Sequence, residues 1–197
     1  MRIPHGFGAQ ATRAVPVPFA GRYYRLLVET STNHLAGIIA ATADAVTANE
    51  ANAKVVFRAA AQAHGAVASS VTLGQYSVEV DEPPALGGEN KAPNPVEFYL
   101  ASLLSCHIVT WRFWSEKLDI AVDDISARAE GDLDVRGFFG LDDAVRAGFG
   151  EVRVMVTVTG PETEERYREL HEAVEAHCPV LDLTRNTTPV RATLKVG

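Results

Sequence analysis

The sequence predicts an α+β protein, in which helices and strands occur in blocks. Its apolar patterning gives the order helix, two strands, helix, two strands, helix, strand. Helical segments repeat apolar residues every three to four positions, whereas strand segments alternate apolar and polar residues. A doubly wound parallel sheet would require strands and helices to alternate strictly, so that class is disfavoured.

Composition restricts the possible function classes. The chain has 197 residues, of which 47% are hydrophobic and 22% are charged, as is typical of a globular domain with its own core. Its 25 acidic and 18 basic residues give a net charge of −7, which disfavours binding to a nucleic-acid backbone. Two cysteines, Cys106 and Cys178, are too few for a disulfide-stapled secreted scaffold.

The start of the chain shows no regular pattern, and we expect no targeting signal there. Residues 1–32 contain three prolines and no apolar run of secretory-signal length. We therefore expect a partly irregular N-terminal extension, followed by one domain over residues 33–197. The most apolar stretch, residues 96–114, is interrupted by Glu97 and Arg112, which favours a buried helix over a membrane span. A cytoplasmic location is expected, where cysteines stay reduced unless they do redox work.

The first part of the domain is predicted to contain one helix, two strands and a loop. Apolar residues at helical spacing indicate a helix over residues 34–48. Residues 54–61 and 66–80 are predicted to be strands joined by a turn at His64–Gly65. Three prolines and two adjacent glycines indicate a loop over residues 81–93.

A long helix is predicted to run from Asn94 to about Lys117. Asn94 is a favourable N-cap, Pro95 occupies the favoured first helical position, and Glu97 has the spacing of a capping box. The segment is apolar on nearly all sides, which predicts a central, buried helix.

The remaining sequence is predicted to contain two strands, a helix and a last strand. Residues 121–136 and the strict alternation from Val152 to Val158 indicate two strands, linked by a glycine-rich loop over residues 137–150. A helix is expected from Gly160 to about His177 because acidic residues crowd its first turn. Residues 190–196 predict the last strand.

Cys106 is the first candidate for chemistry. It shares a face of the long helix with Leu103 and Thr110, where a small buried hydrophobic role is the simpler interpretation. The N-terminus of this helix lies about 18 Å away along the axis, too far for its dipole to stabilise a thiolate. A reactive Cys106 would therefore need a cation from another part of the protein.

Cys178 and its neighbours are the second candidate. A packed thiol at a helix end and a functional thiol are about equally favoured there. Cys106–His107 and His177–Cys178 together contain two cysteines and two histidines, the ligand set of many zinc sites. Neighbouring helical residues point about 100° apart, so we predict no metal site. No nucleotide-binding glycine motif is found, and no cofactor is predicted.

Glu97 is the third candidate. A capping box with Asn94 is a sufficient structural explanation for it. Nine residues separate it from Cys106, which corresponds to about 13–14 Å along one straight helix. Glu97 would act at a thiol only if a bend or a second subunit brought it there.

Two segments together resemble the OsmC/Ohr family of thiol-dependent peroxidases. They are GGENKAPNPVEFYLASLLSCH, residues 87–107, and HCPVLDLTRNTTPV, residues 177–190. The resemblance covers about residues 33–197. It implies an OsmC-like fold, an intertwined homodimer in which antiparallel curved sheets surround central buried helices.

The resemblance also implies roles for residues. Cys106 would be the peroxidatic thiol and Cys178 the resolving thiol, with organic hydroperoxides as substrates and a dithiol as reductant. Peroxidase branches of the family carry a Glu two residues after the Asn. Here that position is Val96, and Glu97 follows it. Those branches also place an Arg in the first hairpin, and the corresponding stretch of this sequence has no Arg. Arg58 and His64 are the candidates for that cation.

The sequence is therefore compatible with three functions. The retained cysteines favour a peroxidase that reduces organic hydroperoxides in oxidative-stress defence. The displaced Glu and the missing hairpin Arg favour a non-catalytic OsmC-like protein that binds an apolar small molecule. A thiol redox sensor, whose oxidation alters a partner surface, is the third.

Overall fold

The structure is a computed structural model that describes the backbone of residues 21–197 and the side chains of residues 34–197. Its elements, in chain order, are α1 (Gly21–Ala48), β1 (Ala59–His64), β2 (Ala68–Leu73), β3 (Tyr76–Val80), α2 (Pro95–Lys117), β4 (Asp124–Leu133), α3 (Val135–Phe138), β5 (Phe149–Thr159), α4 (Glu164–His177) and α5 (Pro179–Arg185). The α+β class is confirmed. The first predicted helix begins earlier than residue 34, at Gly21. Residues 1–20, most of the predicted extension, lie outside the described residues.

Two antiparallel sheets form among the described residues. Strands β1, β2 and β3 pair in that order, and β4 pairs with β5. The strand predicted over residues 66–80 is in fact two strands, because the chain reverses at Gly74, where φ is +62°. The strand predicted over residues 54–61 lies later in the chain, with His64 opposite Ala68.

Helix α2 is placed much as its sequence predicts. Its capping box is formed, and it packs against α4, α5, β4 and α1. Its buried side chains are Leu103, His107, Thr110 and Trp111. Its opposite face leaves Val109 and Phe113 exposed, so burial on all sides is not found in the single chain.

The second sheet carries the expected alternation. In β5, Val152, Val154, Val156 and Val158 are half-buried, whereas the residues between them are exposed. Helix α4 begins at Glu164 rather than Gly160, because Thr163 supplies its N-cap and accepts a hydrogen bond from the Arg166 N–H. Helix α4 is followed directly by α5, an element that the sequence does not predict.

The strand predicted over residues 190–196 is wrong for the single chain. These residues form no strand in the structure, and Val190 and Leu194 are each 87% exposed. A strand needs a neighbour to satisfy its backbone hydrogen bonds, and none of the described strands lies alongside this segment.

The buried residues form two clusters, each of which includes a residue of α2. The larger contains Trp111, Ile120, Ile125, Leu170 and Val174. The smaller contains Leu103, Cys178 and Leu181, with Cys106 packed against it. No helix among the described residues combines the length and hydropathy that crossing a membrane requires.

Candidate functional site: a pair of thiols

The loop before α2 is held in one shape by Asp81. Its carboxylate is buried and accepts hydrogen bonds from the backbone N–H groups of Glu89 and Lys91, both at 3.0 Å. These hydrogen bonds, that from Lys91 first, lower the pKa of Asp81 below its ordinary value. A Cβ at Gly88 would lie 1.9 Å from the carbonyl oxygen of Glu82, so only glycine fits there. The loop therefore delivers the chain to the start of α2 in a fixed direction.

The capping box that starts α2 accounts for Glu97 within one chain. The Asn94 N–H donates to Glu97 Oε2 at 2.8 Å, and the Glu97 N–H donates to Asn94 Oδ1 at 2.9 Å. These two bonds satisfy backbone donors that a helix start leaves free. The nine-residue spacing keeps Glu97 about 13–14 Å along the helix from Cys106.

The structure brings the two cysteines together. Cys106 lies in the middle of α2, half-buried, and packs against the cluster of Leu103, Cys178 and Leu181. Cys178 lies at the junction of α4 and α5 and is 1% exposed. Both are free thiols. An accessible thiol thus contacts a buried thiol that comes from a distant part of the sequence.

Burial also sets the protonation of Cys178. Removal from water is the largest influence and raises the pKa of the Cys178 thiol, because the apolar surroundings disfavour a thiolate. The side chain of Cys106 raises it further, whereas the Leu181 backbone N–H and the Thr110 hydroxyl act in the opposite direction. Cys178 therefore remains protonated at neutral pH.

Helix α5 holds Cys178 against α2. Pro179 ends α4 but occupies the first position of α5, a place where proline is favoured. The Tyr99 hydroxyl of α2 donates to Thr184 Oγ1 at 2.8 Å, and that hydroxyl donates to the carbonyl oxygen of Val180 at 2.7 Å. These two hydrogen bonds hold α5 on α2. Cys178 is therefore positioned by α4 on one side and by α5 on the other.

The two candidate cations lie elsewhere in the single chain. Arg58 precedes β1 and is exposed. His64 ends β1, where its Nε2 lies 3.0 Å from Glu79 Oε2. Helix α2 packs chiefly against other elements than the three-stranded sheet. One chain therefore does not bring Arg58 or His64 into the thiol cluster.

The histidines next to the cysteines have separate surroundings. The ring of His177 packs 4.1 Å from that of Trp114, and its Nδ1 lies 2.7 Å from the carbonyl oxygen of Ala173. His107 is buried and lines a cleft that Cys106 and Cys178 do not line. In the described part of the chain, no group of three His, Cys, Asp or Glu side chains is placed to hold a metal ion.

Sequence patterns did not identify His107 and Trp111 as two neighbouring residues that carry buried polar nitrogens. Their spacing of four residues puts them on one face of α2, which was the available signal. Nothing in the sequence indicated that α4 and α5 would enclose that face.

Comparison with known proteins agrees with this architecture. The family model for OsmC-like proteins matches residues 88–193, more than half of the chain. The protein therefore belongs to the OsmC-like family. No curated protein matches the chain.

Solved structures show a likeness over about two thirds of the chain. An OsmC-like protein from Mycoplasma pneumoniae has a TM-score of 0.58 at 16% identity, covering 67% of this chain and 89% of that chain. An organic hydroperoxide resistance protein from Legionella pneumophila has a TM-score of 0.53 at 22% identity, covering 66% and 90%. Another from Elizabethkingia anophelis has a TM-score of 0.51 at 24% identity, covering 67% and 89%. At these identities, the likeness shows the fold alone.

Proposed function

We propose that the protein is a thiol-dependent peroxidase that reduces organic hydroperoxides. The observation that carries this proposal is the contact between half-exposed Cys106 and buried Cys178. A partly exposed thiol can meet a peroxide, and a buried neighbour is held ready to react with the oxidised form. Solved relatives described as organic hydroperoxide resistance proteins support the substrate class.

The proposed reaction has three balanced steps. The Cys106 thiolate attacks the O–O bond of ROOH, and the alkoxide takes a proton and leaves as ROH, so Cys106 becomes a sulfenic acid. The Cys178 sulfur then attacks that sulfenic sulfur, which forms a disulfide and releases water. A dithiol finally reduces the disulfide by thiol exchange and is itself oxidised to a disulfide. The protein would work in the cytoplasm, where cysteines are normally kept reduced.

A protonated Cys178 is consistent with its role as the second of the two thiols to react. Its raised pKa makes it a poor nucleophile while it is buried as a thiol. Cys106 is therefore the thiol that meets the peroxide first. Cys178 reacts only after Cys106 has become electrophilic beside it.

The proposal includes a homodimer. Single-chain exposure of apolar, strand-like segments supports it, since Phe57 is 91% exposed and Val190 and Leu194 are 87% exposed. The face of α2 that carries Val109 and Phe113 is also uncovered. A second copy would cover these surfaces and would supply strand neighbours for residues 54–58 and 190–196. Across the same interface, Glu97 and a cation such as Arg58 or His64 would reach the partner's thiol.

Two matched serine substitutions test the mechanism. Cys106→Ser should abolish peroxide consumption, because no sulfenic acid forms. Cys178→Ser should allow one turnover and then stall, leaving a sulfenic acid that a dimedone adduct reveals by mass. A full rate of peroxide reduction in Cys106→Ser would overturn the proposal.

A second candidate is non-catalytic binding of an apolar small molecule. It is favoured by the position of Arg58 and His64, which do not lie in the thiol cluster of one chain. Peroxide that leaves both thiols intact would favour this candidate. Disulfide formation without repeated turnover would favour a redox sensor instead.

A further inference from the structure

A cleft is lined by residues of β5 and of the helices α2, α4 and α5. It has two adjoining parts, with volumes of about 700 Å³ and 390 Å³. Both parts are lined by His107, Val154, His171 and Glu175. Cavities of several hundred cubic ångströms are of the size that binds small organic molecules.

Two residues that line this cleft carry buried polar atoms without partners. His107 is 1% exposed, and neither of its ring nitrogens has a hydrogen-bond partner among the described residues. The indole Nε1 of Trp111 is buried and unpartnered in the same way. The two residues are one helical turn apart on α2 and both line the smaller part of the cleft. Buried polar groups normally have a partner, so two neighbouring exceptions at a cavity point to a ligand.

The surroundings keep His107 neutral. Burial is the main influence and lowers the pKa of His107, and His171 and Arg185 lower it further. Glu175 opposes this shift, but its carboxylate is engaged in an ion pair with Arg185. A neutral imidazole has one donor nitrogen and one acceptor nitrogen, and an indole has one donor. The two side chains therefore offer two donors and one acceptor.

We propose that this cleft binds a neutral small molecule with an apolar body and one hydroxyl group, which His107 and Trp111 hold. A hydroxyl group can accept a hydrogen bond from the Trp111 indole N–H and donate one to the acceptor nitrogen of His107, while the donor nitrogen of His107 points away from it. A carboxylate or an ether oxygen has no proton for the acceptor nitrogen of His107. The side chains of Val154, Val156 and Leu103 line the cleft with apolar surface for the body of the ligand.

This site does not depend on the thiols. Cys106 and His107 are adjacent on α2 and point about 100° apart. Cys106 and Cys178 are not among the residues that line either part of the cleft. Binding should therefore be unchanged when the thiols are unreactive, which separates this proposal from the peroxidase proposal.

The test compares two probes of equal size, 1-octanol and 1-methoxyheptane. The ether oxygen accepts hydrogen bonds but donates none. The chain has two tryptophans, so in a Trp114→Phe background the fluorescence of Trp111 reports binding directly. We expect 1-octanol to bind saturably and about five- to tenfold more tightly than the ether, since one net hydrogen bond distinguishes them. Octanoate should also bind more weakly than 1-octanol.

Substitutions of histidine test whether His107 causes the preference for the alcohol over the ether. His107→Phe should bring the affinities for the alcohol and the ether together, whereas the same change at exposed His34 should leave the preference intact. If His107→Phe does not fold, Trp111→Phe, titrated by calorimetry, should weaken binding of the alcohol. Equal affinities of the parent protein for both probes, or no binding of 1-octanol, would overturn the proposal and assign these polar atoms to ordered water or to a covering subunit.

Discussion

Glu97→Gln separates the structural role of this residue from its proposed role at the partner's thiol. A glutamine oxygen still accepts a hydrogen bond from the Asn94 N–H, which now reaches Glu97 at 2.8 Å. The variant mainly removes a negative charge from the first turn, which costs about 0.3–1 kcal/mol. For a chain of this length that corresponds to a fall in Tm of at most about 4 °C. The variant should therefore fold as the parent protein does.

Activity should fall much further than stability in this variant. Glu97 is about 13–14 Å from Cys106 of its own helix, so the proposal requires it to act across the dimer. Glu97→Gln and Cys106→Ser homodimers should then each be inactive. Mixed dimers should contain one complete site, made from the thiol of one subunit and the glutamate of the other. Random exchange makes half of the dimers mixed, so we expect about a quarter of the wild-type rate in a two-fold symmetric dimer.

Steady-state consumption of an organic hydroperoxide is the assay, with subunit exchange verified by native mass spectrometry. Glu172→Gln, an exposed change on α4, is the control and should leave both rate and Tm unchanged. Verified mixed dimers without activity would contradict action across the dimer. A full rate in Glu97→Gln homodimers would reduce Glu97 to its capping role.

Three other perturbations test the structure around the thiols. Leu103→Ala, at a fully buried position of α2, should lower the free energy of unfolding by about 2–5 kcal/mol in urea titrations; a loss below about 1 kcal/mol would contradict its burial. Gly88→Ala should lower Tm because its Cβ would clash with the Glu82 carbonyl, whereas Gly37→Ala, in open space on α1, should not lower it. Burial raises the pKa of Cys178, so the folded state favours the protonated thiol. This contribution to stability is fully present below the ordinary thiol pKa of about 8.5. It is lost as pH rises through the raised pKa of the folded state. Urea titrations at neutral and alkaline pH should show that loss in the parent and a smaller loss in Cys178→Ser; equal losses would refute the assignment.

The features that sequence predicted well are those set by nearby residues. The capping box of Asn94 and Glu97 and the alternation in β5 need only a few neighbouring positions, and both are confirmed. The loop over residues 81–93 is likewise confirmed apart from one short 3-10 turn. Its tight geometry at Gly88 follows from contacts inside the loop itself.

The features that sequence predicted poorly depend on distant parts of the chain or on a second chain. Pro179 follows the predicted helix end near His177, but it also starts α5, which is stabilised by Tyr99 from α2. Residues 190–196 have the alternation of a strand but no neighbouring strand in the described part of one chain. Local patterning cannot reveal whether such a neighbour exists.

The candidate site divides in the same way. The resemblance singled out Cys106 and Cys178, but their contact depends on how α4 and α5 pack on α2. The unpartnered nitrogens of His107 depend on the same packing. Residue types and spacing identify such groups only as candidates, because burial and partners are properties of the folded chain.

The most direct test of the central claim is the intact mass and free-thiol content of the reduced protein before and after one equivalent of cumene hydroperoxide. The proposal predicts rapid loss of both thiols and a mass decrease of two hydrogens, with neither change in Cys106→Ser. Two thiols that survive excess peroxide would contradict the peroxidase function and leave ligand binding as the role of this fold.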